Sequence, residues 1–207
     1  SGEPRLRLGL SISTDGDAVF AANHKGEVTA FNIANGRRLW QARTRLPLTA
    51  GPGAGEGVVV AGTSGGDVIA LDATSGAVKW QTRINSELLS QPAIADGVVA
   101  LRTVDGRLAL LRLSDGTQIW AAEQQVPRLS LRGSGAPAIS SGIAVSGFDN
   151  GRVMALNVAD GTTVWEGTVA PPSGRTELER LVDIDSAVQI ADDDVYVVAF
   201  QGRVAQA

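Results

Sequence analysis

The chain of 207 residues carries 18 basic and 22 acidic side chains, one histidine, no cysteine and 43% apolar residues, for a net charge of −4. That balance gives no electrostatic case for nucleic acid, and without cysteine there are no disulfides, thiolate nucleophiles or thiolate metal sites. No apolar run approaches the 18 or so residues needed to cross a bilayer as a helix; no secretory signal is present, and Ser1-Gly2 reads as an engineered start or a trimmed mature end.

In chain order, the first recurrent unit reads Gly26, Val28, Ala30 and Phe31, then Asn35-Gly36 and Leu39-Trp40. The second runs from Gly66 through Val68, Ala70 and Leu71 to Ser75-Gly76 and Trp80. A third spans Gly106, Leu108, Leu110, Leu111, Asp115-Gly116 and Trp120, and a fourth spans Gly151, Val153, Ala155, Leu156, Asp160-Gly161 and Trp165. A fifth opens at Gly202-Arg203-Val204-Ala205. Each tryptophan follows a glycine by four residues, and successive tryptophans lie 40, 40 and 45 residues apart. Self-similarity at such a period signals a solenoid, a propeller or an array.

Within a period, short apolar or alternating runs are separated by Gly, Asp, Asn and Ser, the pattern of strands joined by tight turns. The third unit shows this well, with predicted strands over Gln91–Ala95, Val98–Arg102, Arg107–Leu113 and Gln118–Ala122, punctuated by Asp96-Gly97, Asp105-Gly106 and Asp115-Gly116. An Asp or Asn followed by Gly favours hairpins because both residues accept positive φ. Four strands on three hairpins make one sheet per period, so the expected class is all-β, a β-propeller of four-stranded antiparallel blades. The chain is expected to form a single partial propeller domain with units around 1–45, 46–85, 86–125 and 126–170, and the start of a fifth over 171–207. The continuous apolar runs Val58–Gly62 and Val195–Phe200 suit strands covered on both faces. Each tryptophan falls in the last, outer strand, where it is expected to cover the seam to the next blade.

The period is broken in two places. From each tryptophan to the next unit's glycine the distance is 26 residues twice, then 31 after Trp120 and 37 after Trp165. Insertions in repeat arrays collect in loops, often on the binding face. The first enlarged segment, 124–137, offers Leu129 and Leu131 on one side if extended, with Arg132 adjacent. These could anchor a protein interface or point into the core. The second, 170–185, carries Pro171-Pro172, a stretch from Thr176 able to form a helical turn, and Asp183 and Asp185 on one side. Paired carboxylates could act as general acid and base, ligate a metal, receive a basic partner, or bond to loop backbone, Arg175 or Arg180.

The repeat resembles the β-propeller repeat of pyrroloquinoline-quinone enzymes. Leu129-Ser130-Leu131-Arg132-Gly133 with Ala136-Pro137, Asp149-Asn150-Gly151-Arg152-Val153, and Thr176-Glu177 to Arg180-Leu181 with Asp183-Ile184-Asp185 resemble, in order and spacing, the BamB family of the bacterial outer-membrane β-barrel assembly machinery. That resemblance implies a non-catalytic scaffold in an eight-bladed ring, of which about four blades are here, without cofactor or metal. It also implies a lipid anchor, absent from this chain, at the periplasmic face of the outer membrane. The implied partner is a periplasmic POTRA domain of BamA, contacted through Leu129, Leu131, Arg132, Asp183 and Asp185, with unfolded outer-membrane clients as further candidates. An open arc of blades would leave two uncovered faces, so the fragment is expected to dimerise, swap domains or aggregate.

Two other readings stand beside it: a quinoprotein-dehydrogenase-like enzyme fragment, and a generic propeller adaptor for another protein. The enzymes use a quinone, Ca²⁺, an Asp base and often a Cys pair, which this chain lacks. Asp15, Asp72, Asp96, Asp105 and Asp115 occupy turn positions that hairpin chemistry already explains. Asp192-Asp193-Asp194 reads as a polar turn with weak Ca²⁺ binding as its alternative. His24 is the sole histidine, which rules out a multi-histidine metal site within this sequence.

Overall fold

The computed structural model describes residues 9–123, 135–148, 150–169, 184, 186–191, 194–199 and 203–206. These form five antiparallel sheets in chain order. The first contains β2 (Ile12–Asp15), β3 (Ala18–Ala22), β4 (Glu27–Asn32) and β5 (Arg38–Arg43). The second contains β6 (Leu48–Gly55), β7 (Val58–Thr63), β8 (Asp67–Asp72) and β9 (Val78–Arg83), with the two-residue β1 (Gly9–Leu10) added parallel to β6. The third comprises β10 (Ala93–Ala95), β11 (Val98–Arg102), β12 (Arg107–Arg112) and β13 (Gln118–Glu123), within two residues of the expected boundaries. The fourth comprises β14 (Ala138–Ser140), β15 (Ile143–Gly147), β16 (Arg152–Asn157) and β17 (Thr163–Thr168). The fifth has β18 (Gln189–Ala191), β19 (Asp194–Ala199) and β20 (Arg203–Gln206). Every sheet is a meander, the blade form of a β-propeller.

The core is a series of layers between successive sheets. Phe20, Val28 and Ala30 of the first sheet meet Val59, Ile69 and Leu71 of the second. Val60, Val68 and Ala70 of the second meet Val99, Leu101 and Leu111 of the third, and the third and fourth close through Leu108, Leu110, Met154 and Leu156. This is why β7 and β11 are buried along their whole length and read as unbroken apolar runs. β19 departs from that expectation. Val195 and Val197 are buried against the fourth sheet, whereas Tyr196 and Val198 are 36% and 41% exposed, so only one face is covered.

A tryptophan closes each of the first three seams. The register between third and fourth strands slips beside it in every complete sheet, at Ala30/Phe31, Ala70/Leu71, Leu110/Leu111 and Ala155/Leu156. A bulge of this kind bends the strand and re-aims the side chain that follows. Trp40 Nε1 donates to Ala73 O of the next sheet at 2.9 Å, Trp80 to Leu113 O at 2.7 Å and Trp120 to Val158 O at 2.9 Å. Three residues past each acceptor is a glycine at positive φ: Gly76 at 73°, Gly116 at 74° and Gly161 at 72°. A Cβ on these glycines would lie 2.6, 2.5 and 2.8 Å from the rings of Trp40, Trp80 and Trp120. Glycine is therefore required twice over, for the left-handed turn and for the space the indole fills.

A second clasp links the first hairpins of neighbouring sheets. Asp15 accepts from Gly57 N at 2.8 Å, Glu56 from Gly97 N at 3.1 Å and Asp96 from Gly142 N at 2.9 Å. Asp15 and Asp96 thus bond across a seam rather than within their own hairpins as the sequence suggested. The third hairpins are closed locally: Asp72 accepts from Thr74 N and Ser75 N, Asp115 from Thr117 N and Asp160 from Thr162 N.

The seam fastening predicts that Trp80→Ala costs about 3–5 kcal/mol in urea unfolding. Trp80→Phe, which leaves the Leu113 carbonyl without its donor, should cost about 1–3 kcal/mol. Gly116→Ala should be far less damaging once Trp80 is alanine, because only backbone strain is left; simple additivity in that double-mutant cycle would refute the seat.

The turn carboxylates predict acid sensitivity. Bonds from the Ser75 hydroxyl to Asp72, the Thr117 amide to Asp115 and the Thr162 hydroxyl to Asp160 each favour the ionised form and hold the carboxyl below its ordinary 3.8. The unfolded chain binds these protons first, so this stabilisation is complete above about pH 4 and drains as the pH falls through the lowered folded values. Asp72→Asn, which copies the natural Asn32 and Asn157 at the same register position, should flatten the urea midpoint against pH between 5 and 2.5 (about the range set by); an unchanged slope would contradict this origin.

Candidate functional site

The connections between sheets leave along one rim. The residue following the outer strand donates to the glycine that turns the second strand into the third: Thr44 N to Gly26 O at 2.8 Å, Ile84 N to Gly66 O at 2.9 Å and Val169 N to Gly151 O at 2.9 Å. Connection and turn are therefore side by side. On this rim the turn before Arg107 also reaches the preceding connection, with Val104 N bonded to Glu87 O at 3.1 Å and the Ser86 hydroxyl donating to Asp105 at 2.6 Å. Arg107 then bridges Asp105 and Glu123 at 3.2 and 2.6 Å.

Leu129, Leu131, Arg132, Asp183 and Asp185 all lie outside the described residues, as do Asp192 and Asp193. What the structure describes is where their two segments end, and those ends meet. Val188 N donates to Ala136 O at 2.9 Å. A Cβ on Gly135 would fall 2.4 Å from Ser186 O and 2.8 Å from Ile184 O, so the two backbones are packed as closely as glycine permits. Ile184, between Asp183 and Asp185 in the chain, is fully buried and sits over Gly147, where an added Cβ would lie 2.3 Å from its side chain.

The same corner holds two residues that sequence reading passed over. Arg102 ends β11 at the register position where the neighbouring sheets have Gly62 and Gly147, each opposite the valine second in the third strand; its own partner is Leu108. It is 3% exposed, and its guanidinium carbon lies 5.7 Å from the centre of the Phe148 ring, a cation–π arrangement. Phe148 in turn stands where the second and third sheets have Thr63 and Thr103, and the first has Asn23, each closing the turn through its side-chain oxygen. An arginine within the apolar run Val98–Arg102, and a phenylalanine where the repeat has threonine, were the available signals.

Among the described residues no group of three or more His, Asp or Glu side chains could hold a metal ion. His24 Nδ1 lies 2.9 Å from Leu48 O, a structural contact. A recess of about 140 Å³ between the fourth and fifth sheets is lined by Ile143, Val145, Trp165, Ile190 and Val195, smaller than the roughly 300 Å³ at which ligand pockets begin. A wider one of about 450 Å³ opens at the outer corner of the first two sheets, where Asp15 is already bonded to Gly57.

A family model described as outer membrane protein assembly factor BamB matches residues 24–207. The protein of that name from Pseudomonas aeruginosa is 51% identical over 196 residues, covering 95% of this chain and 52% of the relative. That from Alkalilimnicola ehrlichii is 48% identical over 205 residues, covering 99% and 54%. The chain therefore spans about half the length of the curated relatives it matches. The crystal structure of BamB from Moraxella catarrhalis superposes with a TM-score of 0.87 at 30% identity, over 98% of this chain and 61% of that one. A computationally designed protein, Ika8, superposes at 0.71 with 19% identity over 95% of this chain and 57% of its own, a likeness of fold alone. The relatives are named for assembly and not for catalysis, which sets the quinoprotein reading aside. Carrying the seam tryptophans, the two enlarged connections and this similarity over nearly its whole length, the chain belongs to the family of the outer membrane protein assembly factor BamB.

Proposed function

We propose that this chain is part of a non-catalytic scaffold in outer-membrane protein assembly that binds a periplasmic POTRA domain of BamA through its two enlarged connections. Leu129 and Leu131 supply the apolar anchor, Arg132 a charged rim, and Asp183 and Asp185 a landing site for basic groups of the partner. The whole protein would work at the periplasmic face of the outer membrane, held by a lipid anchor, with unfolded outer-membrane clients as possible further ligands. The observation that carries this reading is the junction of Gly135-Ala136 with Ile184, Ser186 and Val188, which ties the exits of both connections to one point on the rim. Ile184, between the two aspartates in the chain, is buried beside that junction, which supports reading the two loops as one surface.

Capture of the periplasmic region of BamA by the 207-residue chain tests this. Leu129→Ala with Arg132→Ala, and Asp183→Ala with Asp185→Ala, should each weaken capture by about 30-fold, the loss of one hot spot of roughly 2 kcal/mol, with circular dichroism unchanged. Gly135→Ala, which forces the two exits apart, should weaken capture although it touches none of the five contact residues. Capture unaffected by both double substitutions would leave the generic adaptor, with another partner or another face.

A further inference from the structure

Where the second strand of each of the first four sheets reaches the connection rim, it ends on Ala22, Gly62, Arg102 or Gly147, paired with Val28, Val68, Leu108 or Val153 of the third strand. At two of these positions the next connection lays an aliphatic side chain into the space that the glycine leaves. Leu88 sits over Gly62, where an added Cβ would lie 2.5 Å from its Cδ1, and Ile184 sits over Gly147 in the same way. At the first seam Leu48 belongs to the layer against which Ala22 packs. Leu48, Leu88 and Ile184 are all 0% exposed. Each seam closed in this manner matches a small residue on the sheet with a large one on the connection.

The third seam reverses the match. Leu48 and Leu88 stand four residues before Pro52 and Pro92, and Ile184 four before Val188; the residue four before Pro137 is Gly133. The connection therefore has no side chain to offer at the position where the sheet carries an arginine. Arg102 continues the row of Val98 and Ala100, which pack in the layer between the third and fourth sheets, and its guanidinium carbon lies 5.7 Å from the centre of the Phe148 ring in that same layer. A leucine and an arginine would overfill one such hole in a close-packed layer, so the swap of sizes is complementary. It is also a change of chemistry, because an aliphatic side chain only packs, whereas a guanidinium brings five N–H donors in a fixed plane.

We propose that Arg102 is the positioning residue of the first enlarged connection. It supplies from the sheet the side chain that Gly133 lacks, and with its plane held on Phe148 it directs its donors to the backbone that follows Leu129, Leu131 and Arg132, setting how those three are presented. The consequence for partner binding rests on the reading given above for that connection; the swap of sizes does not.

Urea unfolding and hydrogen exchange of the 207-residue chain, with capture of the periplasmic region of BamA, test the two levels separately. Arg102→Gly empties the hole and Gly133→Leu overfills it, so each should lower the urea midpoint. The double variant, built like the seams at Gly62 and Gly147, should recover most of the loss. Losses that simply add would overturn the proposal. In that stable double variant, amide exchange over residues 124–132 should nevertheless quicken and capture should fall about tenfold, the effect of roughly 1.4 kcal/mol. Arg102→Lys, which keeps a cation on Phe148, should hold more of the protection and more of the capture. Exchange and capture both unchanged in the double variant would reduce Arg102 to a packing residue and overturn its positioning role. Quickened exchange in a chain that captures no BamA even when unsubstituted would uphold that role and refute the partner instead.

Discussion

An indole can reach a carbonyl of the next sheet only where the turn beneath it carries no side chain. Trp40, Trp80 and Trp120 meet that condition at Gly76, Gly116 and Gly161, and much else follows from it. The bulge that offsets the outer strand turns the ring toward its neighbour, the ring covers the mouth of the apolar layer, and the indole N–H satisfies a carbonyl that would otherwise be half-buried and unpaired. One aromatic residue per period thus serves as packing, hydrogen bond and spacer, and it fixes the distance at which successive sheets stand. The apolar layers behind it can then be built from Val, Ala and Leu, residues with no angular preference of their own.

Because that fastening recurs, cohesion is distributed along the stack rather than gathered in one central core. The carboxylate clasps from Asp15, Glu56 and Asp96 repeat at the first hairpins, so each of the first three seams is tied at more than one place. Stability in such an array is close to a sum of sheet and seam terms, which frees any one connection to lengthen without unmaking the fold. The connections after β13 and β17 have done so, and the sheets on either side keep the same registers as the unexpanded ones.

Much of this was legible in the sequence because it is repetitive. Gly-x-x-x-Trp at a regular period announced the blades, the Asp-Gly and Asn-Gly pairs announced the hairpins, and the third unit's strands fell within two residues of their observed bounds. What escaped were interactions between units, since a carboxylate in a hairpin looks the same whether it closes its own turn, as Asp72 does, or bonds the next sheet, as Asp96 does. The exposure of Tyr196 and Val198 was equally hidden, because an apolar run reports what a strand is made of and not whether a neighbour is present. Of the candidate site, the sequence showed where the period swells; that the ends of the two swellings meet is seen only in the packing of Gly135 on Ile184 and Ser186.

That junction also explains why function should sit in departures from the repeat. A strictly periodic stack offers the same rim at every sheet and gives a partner no unique place to bind. The corner around the fourth sheet differs from the others in three ways that support one another. Arg102 puts a buried charge where neighbours have glycine, Phe148 puts a ring where they have threonine, and the two stack together. Buried Ile184 then locks the second enlarged segment against Gly147, the residue next to Phe148. Under the proposed function, the two long connections that end at this corner would give a partner one place to bind on an otherwise repetitive rim.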